Sequence, residues 1–160
     1  MTPTIRDVRP EDDPQLANLI RLVMTEIGAC GDGYSINDPE VQNMSQNYTP
    51  PKAGYLVLAR GDEVLGGGGF APLTDAPANV CELRKMYFLP AARGLGMAQQ
   101  MLDQILARAR AAGYTKMYLE TITGADKAIA LYERNGFTKS PCSQGNTGHN
   151  GCDTFYERTL

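Results

Sequence analysis

The sequence predicts an α/β fold of six or seven strands and about four helices, in a single domain spanning residues 1–160. Three observations carry this reading. Short runs rich in Val, Leu, Tyr and Phe recur along the chain, bounded by Gly and Pro. Apolar residues at helical spacing fill the segments after Pro14 and after Gly96. A glycine-rich turn joins a strand to the second of those helices. With 160 residues, 42% of them hydrophobic and 21% charged, the chain is long and apolar enough for a core of its own.

Thr4 to Arg9 alternates in polarity as a first strand, which Pro10 ends. Glu11-Asp12-Asp13 before Pro14 is a helix start, and Leu16, Leu19, Ile20, Val23, Met24 and Ile27 form the apolar stripe after it. Gly28, Gly31 and Gly33 break that helix. Asp38-Pro39 opens a short second helix through about Ser45. Tyr55 to Ala59 is a buried-type strand, and Gly61-Asp62 turns it into a third strand that begins at Val64. Four glycines, Gly66 to Gly69, weaken this strand and predict close approach of a backbone or a ligand. Val80 to Phe88 is the fourth strand. Its apolar phase slips by one residue at Lys85-Met86, as a β-bulge would make it.

A long helix runs from Gly96 to Ala112, with Gly113 past its end. Lys116 to Thr121 is the fifth strand. Thr123 is placed to cap another helix, which carries Ala128, Leu131 and Tyr132 on one side and stops at Asn135-Gly136. Phe137-Thr138 enters a sixth strand, and Thr154 to Arg158 forms the last after a Gly/Ser/Asn-rich loop, residues 143–151.

The segment Arg93-Gly94-Leu95-Gly96-Met97-Ala98 carries the chemistry. A glycine turn from strand into helix leaves backbone N–H groups pointing one way, and the helix dipole adds positive charge there. Such a place suits a phosphate or pyrophosphate, hence a nucleotide-type cofactor; the plain alternative is a tight corner. Formal net charge is −3 with no Lys/Arg block, which argues against nucleic acid or an anionic membrane as main partner. No run reaches membrane-span length and the N-terminus lacks an apolar signal core, so a cytoplasmic protein is expected. Cys30, Cys81, Cys142 and Cys152 form no Cys-x-x-Cys pair. A zinc site from Cys142, His149 and Cys152 matches no common spacing, so no metal is expected and the thiols read as reduced and structural.

Three blocks together resemble the GNAT superfamily of N-acetyltransferases: Glu82 to Pro90, Arg93 to Ala98, and Ala128-Ile129-Ala130-Leu131-Tyr132-Glu133-Arg134-Asn135-Gly136-Phe137. They cover the central third to half of the chain, in the order strand, phosphate loop, helix, strand, helix. The resemblance implies a mixed, mostly antiparallel sheet, acetyl-coenzyme A as co-substrate and a primary amine as usual acceptor. By motif match, the backbone of Arg93, Gly94, Leu95, Gly96, Met97 and Ala98 would hold the pyrophosphate. Met86, Tyr87 and Phe88 would pair with the pantetheine arm, and Tyr132 would protonate the leaving thiolate. Two positions depart from the family's pattern. Ala125 stands where members often carry Asn, and Ala91 where some carry Gln or Arg.

An amine attacks a thioester only when neutral, so a base or a water chain must take its proton, and the developing oxyanion needs an N–H donor such as a bulged strand offers. Glu82, on the strand that would carry the acetyl group, is the candidate base; it is also readable as the polar side of a half-buried strand, and Tyr132 as a core aromatic. Glu26 and Tyr34 are the candidate acceptor-binding residues, in an acidic, tyrosine-bearing segment that extends to Asp38 and Tyr48 and suits a cationic amine. His149 is expected to tune acceptor or surface contacts. The expected function is acetyl-coenzyme A-dependent transfer to a primary amine of a small molecule or peptide, by direct attack. A non-catalytic acyl-coenzyme A sensor on the same fold is the alternative, and a dinucleotide oxidoreductase fits worse, because the glycine turn comes after four strands. A homodimer stays open.

Overall fold

Continuous apolar strands form where both faces of a sheet are covered, and the run Tyr55 to Ala59 does this. The computed structural model describes residues 1–160, in which β2 (Gly54–Arg60) lies between β1 (Thr4–Asp7) and β3 (Glu63–Pro72), both antiparallel to it. Leu56 and Leu58 face one core with Met101 and Ile105, while Tyr55 and Val57 face a second core with Leu16 and Ile20. The second core is closed by α1 (Asp13–Glu26) and the short α2 (Met44–Asn47). The first is closed by α3 (Met97–Ala111) and α4 (Asp126–Arg134).

The sheet has seven strands in the order β1-β2-β3-β4-β5-β7-β6, with β4 (Val80–Phe88), β5 (Lys116–Thr121), β6 (Thr138–Lys139) and β7 (Thr154–Thr159) completing it. Every neighbouring pair is antiparallel except β4 and β5, which α3 joins as a parallel crossover. This is the mixed, mostly antiparallel sheet expected. No helix is long and apolar enough to cross a membrane.

The glycine run lies inside β3, and what approaches it is protein. A Cβ on Gly66 would meet the Phe88 ring at 2.3 Å, one on Gly68 the Met86 side chain at 2.7 Å, and one on Gly67 the Tyr55 ring at 2.7 Å. Two expectations need correction. Thr123 does not cap α4: its N–H and hydroxyl both bond the Asp153 carboxylate, Gly124 at φ +101° turns the chain, and Ala125 precedes the helix without a side-chain cap. The second helix is split. Residues Pro39–Gln42 form a 3-10 turn, Asn43 leaves helical geometry, and α2 begins after it.

Candidate active site

The bulge read from the phase slip is present. Between the pairs Gly67–Tyr87 and Gly69–Arg84, β4 places Lys85 and Met86 opposite Gly68 alone. Lys85 takes φ +47°, a left-handed conformation that costs a non-glycine residue about 1–3 kcal/mol. One buried and two half-buried partners hold it there. The Tyr55 hydroxyl donates to the Lys85 carbonyl at 2.6 Å, and the Lys85 ammonium donates to Asp38 at 2.8 Å and to Glu40.

Strands β4 and β5 pair only from Val80 to Glu82, opposite Lys116 to Tyr118. Beyond Glu82 they part, and a cavity of about 800 Å³ fills the gap. The edge of β4 from Leu83 to Phe88 has no strand partner on that side, so its backbone is open to an extended ligand. At the far end Gly94 and Gly96 adopt φ +75° and +74°, turning the chain into α3. The backbone N–H groups from Gly94 to Gln99 donate to nothing in the protein, and the first turn of α3 holds no acidic residue. Arg93 differs. Its N–H bonds the Pro90 carbonyl, and its side chain bonds the Phe88 carbonyl at 3.0 Å and Glu26 at 2.6 Å. The free donors thus begin one residue later than the sequence motif and extend one further, to Gln99.

Of the residues singled out from sequence, Glu26, Tyr34, Glu82, Met86, Tyr87, Phe88, Arg93, Gly94, Gly96, Met97, Ala98 and Tyr132 all line this cavity. Leu95 does not; its side chain is turned outward and 60% exposed. Tyr132 sits on α4 with its ring against Phe137, centroids 5.8 Å apart, and its hydroxyl bonds no protein group. Burial raises the phenol well above its ordinary value, which keeps it a proton donor. Glu82 is 4% exposed, at the point where β4 and β5 separate. Burial raises its carboxyl above the ordinary value, against the pull of the Arg84 guanidinium 2.7 Å away.

A second, smaller cavity of about 330 Å³ adjoins the first and shares Glu82, Arg84, Lys85 and His149 with it. Asp38, Pro39, Glu40, Asn47 and Thr147 complete its wall, in which Pro39 is the one residue without a polar side chain. The His149 imidazole lies 2.9 Å from the Asp38 carboxylate. Burial acts to raise the Asp38 carboxyl, but His149 and Lys85 outweigh it and hold it below its ordinary value. Glu26 and Tyr34 do not line this cavity. Glu26 is tied to Arg93 beside the glycine turn, and the Tyr34 ring packs on Gly151. The roles of Arg84 and Lys85 went unread in the sequence, where both look like the polar side of a strand. The one available signal was a lysine standing at the slipped position.

The acetyltransferase (GNAT) family model matches residues 20–137. The chain is 41% identical to the uncharacterised N-acetyltransferase YjgM of Escherichia coli K12 over 160 residues, 99% of this chain and 96% of that one. It is 33% identical to the IAA acetyltransferase of Azospirillum brasilense over 107 residues, 67% of this chain and 68% of that one. In fold it resembles an acetyltransferase of the GNAT family from Staphylococcus aureus Mu50, with TM-score 0.84 at 19% identity and 99% of each chain covered. The PaiA N-acetyltransferase of Thermoplasma acidophilum, solved in complex with coenzyme A, gives TM-score 0.75 at 17% identity over the full length of both chains.

Proposed function

The chain belongs to the GNAT acetyltransferase family, and from that premise we propose that it transfers the acetyl group of acetyl-coenzyme A to a primary amine by direct attack. The observation that supports this most is the line of unengaged groups along one cavity. From the glycine turn inward come the free N–H groups of Gly94 to Gln99, the open edge of β4 and, at its inner end, Glu82, whose Oε2 bonds no protein group, with the Tyr132 hydroxyl in the same cavity. This order suits a ligand with a pyrophosphate at one end, an amide-bearing arm, and a thioester at the other.

Acetyl-coenzyme A supplies the activated acyl carbon. The protein's part comes from its residues. The amides before α3 bind the pyrophosphate, aided by the helix dipole, and Glu26 offsets the Arg93 charge next to them. Met86, Tyr87 and Phe88 present the strand edge to the pantetheine arm. Glu82 takes the proton of the incoming ammonium, directly or through one water, so that the neutral nitrogen can attack. As the carbon–sulfur bond breaks, Tyr132 gives its proton to the sulfur, and the second proton that the nitrogen loses on becoming an amide restores the phenol through water. The amine enters from the smaller cavity, which meets the larger one at Glu82.

A cytoplasmic setting belongs to this reading, and the four free thiols agree with a reducing compartment. The test is acetyl-coenzyme A binding by calorimetry, then thiol release across a panel of amines. Binding with amine-dependent release supports the reading; binding without turnover of any amine would favour the sensor, and no binding overturns both.

A further inference from the structure

A base has to be ionised when the amine arrives, and the surroundings of Glu82 work against that. Its side chain is buried, and a carboxyl in such a place favours its protonated form, up to pKa values of about 8–9 in the extreme. Glu120 faces it from β5 and adds a like charge. The Cys81 thiol and Tyr87 phenol on β4, Tyr118 on β5 and the Cys152 thiol before β7 are neutral neighbours, because burial raises all four. None of them compensates a carboxylate.

Three basic groups stand near Glu82, and two are engaged elsewhere. Lys85 gives its ammonium to Asp38 and Glu40. The His149 imidazole bonds Asp38 and acts on Glu82 only through space. Arg84 is left. Cys81 and Leu83 pack in the first core, so Glu82 and Arg84, at the alternating positions before the bulge, share the opposite face of β4. The Arg84 Nε–H donates to Glu82 Oε1 at 2.7 Å. An Nη–H of the same guanidinium donates to the Pro72 carbonyl at 3.2 Å, which anchors it to β3. Glu82 Oε2 bonds no protein group. No polar side-chain atom in the protein is both sealed from solvent and unbonded, so Oε2 reaches open space.

We propose that Arg84 is the positioning residue of the base: it holds Glu82 by Oε1, keeps the carboxylate ionised at neutral pH, and leaves Oε2 as the atom that takes the proton. This role rests on the reading of Glu82 as the base. An N–H bond of the ammonium breaks, its electron pair stays on nitrogen, and the O–H bond forms at Oε2. Burial makes Glu82 a stronger base than an ordinary carboxylate, and Arg84 stops that gain short of the point where the group would meet the amine already protonated.

The test titrates the full chain, free of ligand, by carbon-13 NMR of its glutamate carboxyls, from about pH 4 to about pH 9. Glu82 is identified by the signal that Glu82→Gln removes. In wild type the Arg84 Nε–H resonance should shift with the Glu82 carboxyl through one common midpoint. In Arg84→Gln the Glu82 midpoint should rise by about 1–3 pH units, the effect of one opposite charge at contact. Arg84→Lys keeps the charge without the planar fork and should rise less.

A Glu82 midpoint unchanged in folded Arg84→Gln overturns the role. So does a wild-type Arg84 Nε–H that ignores the protonation of Glu82, and that measurement decides if neither variant folds. Both outcomes leave the base reading standing. A wild-type kcat/KM whose rise with pH does not follow the Glu82 midpoint sinks the base reading, and this role with it, whatever the variants show.

Discussion

The Tyr55 hydroxyl reaches from β2 across β3 to the Lys85 carbonyl in β4, 2.6 Å away, and only glycines leave it room to pass. A Cβ on Gly67 would stand 2.8 Å from that hydroxyl, and one on Gly69 would stand 2.6 Å from the Tyr55 ring. The glycine run and the bulge are therefore one device. Glycines weaken β3, and in exchange a buried phenol pins the carbonyl of the left-handed residue that opens the cleft. Gly67→Ala should destabilise the chain by about 1–3 kcal/mol, as overpacking does. It should also weaken acetyl-coenzyme A binding, because the displaced Tyr55 releases the bulge. Denaturant unfolding and calorimetry read the two effects; a loss of stability with cofactor affinity intact would separate the glycines from the site.

Gly96 has φ +74° and open space where a Cβ would stand. Gly96→Asp therefore costs only the left-handed backbone penalty, which Asp bears better than most residues. Its carboxylate would lie among the free amides proposed above to bind the pyrophosphate. The expected result is a folded protein whose melting temperature no longer rises with acetyl-coenzyme A, the gain in wild type coming from ligand binding to the folded state. An unchanged thermal shift would remove the phosphate role of this turn.

Tyr132→Phe deletes a hydroxyl that has no protein partner, so stability should change by less than about 0.5 kcal/mol. Turnover should fall by about 10- to 100-fold, in keeping with loss of a general acid, while acetyl-coenzyme A affinity stays within a factor of about two or three of wild type. Stopped-flow thiol release on the variant checks this. Full activity would mean that water protonates the sulfur.

The fold was legible where local signals agreed. β4 was bounded to the residue, because Val80 comes after a Pro-rich turn and Pro90 soon after Phe88. The bulge showed itself as a phase slip, since period-2 alternation leaves no other simple reading of Lys85-Met86. The end of α3 was visible from Gly113. The start of α4 was hidden because the Thr123 hydroxyl had two partners to choose from, and Asp153, distant in sequence, won. The same limit hid the smaller cavity. Asp38, Lys85 and His149 come from three separate segments, and no spacing rule joins residues 38, 85 and 149. Of the acceptor candidates, Glu26 is held by Arg93 beside the glycine turn, a pairing across 67 residues that no local spacing announces.

The base assignment makes a prediction with a definite sign. Burial raises the Glu82 carboxyl above its ordinary value even with Arg84 beside it. A base works deprotonated, so kcat/KM should rise with pH through that raised value and not through the ordinary carboxylate range near 4.3. Glu82→Gln should lose this limb and cost most at mildly acidic to neutral pH, where the amine is mostly charged. Stability supplies an independent readout. A carboxyl with a raised folded-state pKa holds its proton more tightly when folded, so its contribution to stability declines as pH rises from the unfolded value to the folded one. Gln lacks that decline. The stability of Glu82→Gln relative to wild type should therefore improve across this window, as chemical denaturation at about pH 4 and pH 7 will show. A variant that loses rate uniformly at every pH, with no such shift in relative stability, would make Glu82 a packing residue and leave the proton to a water chain.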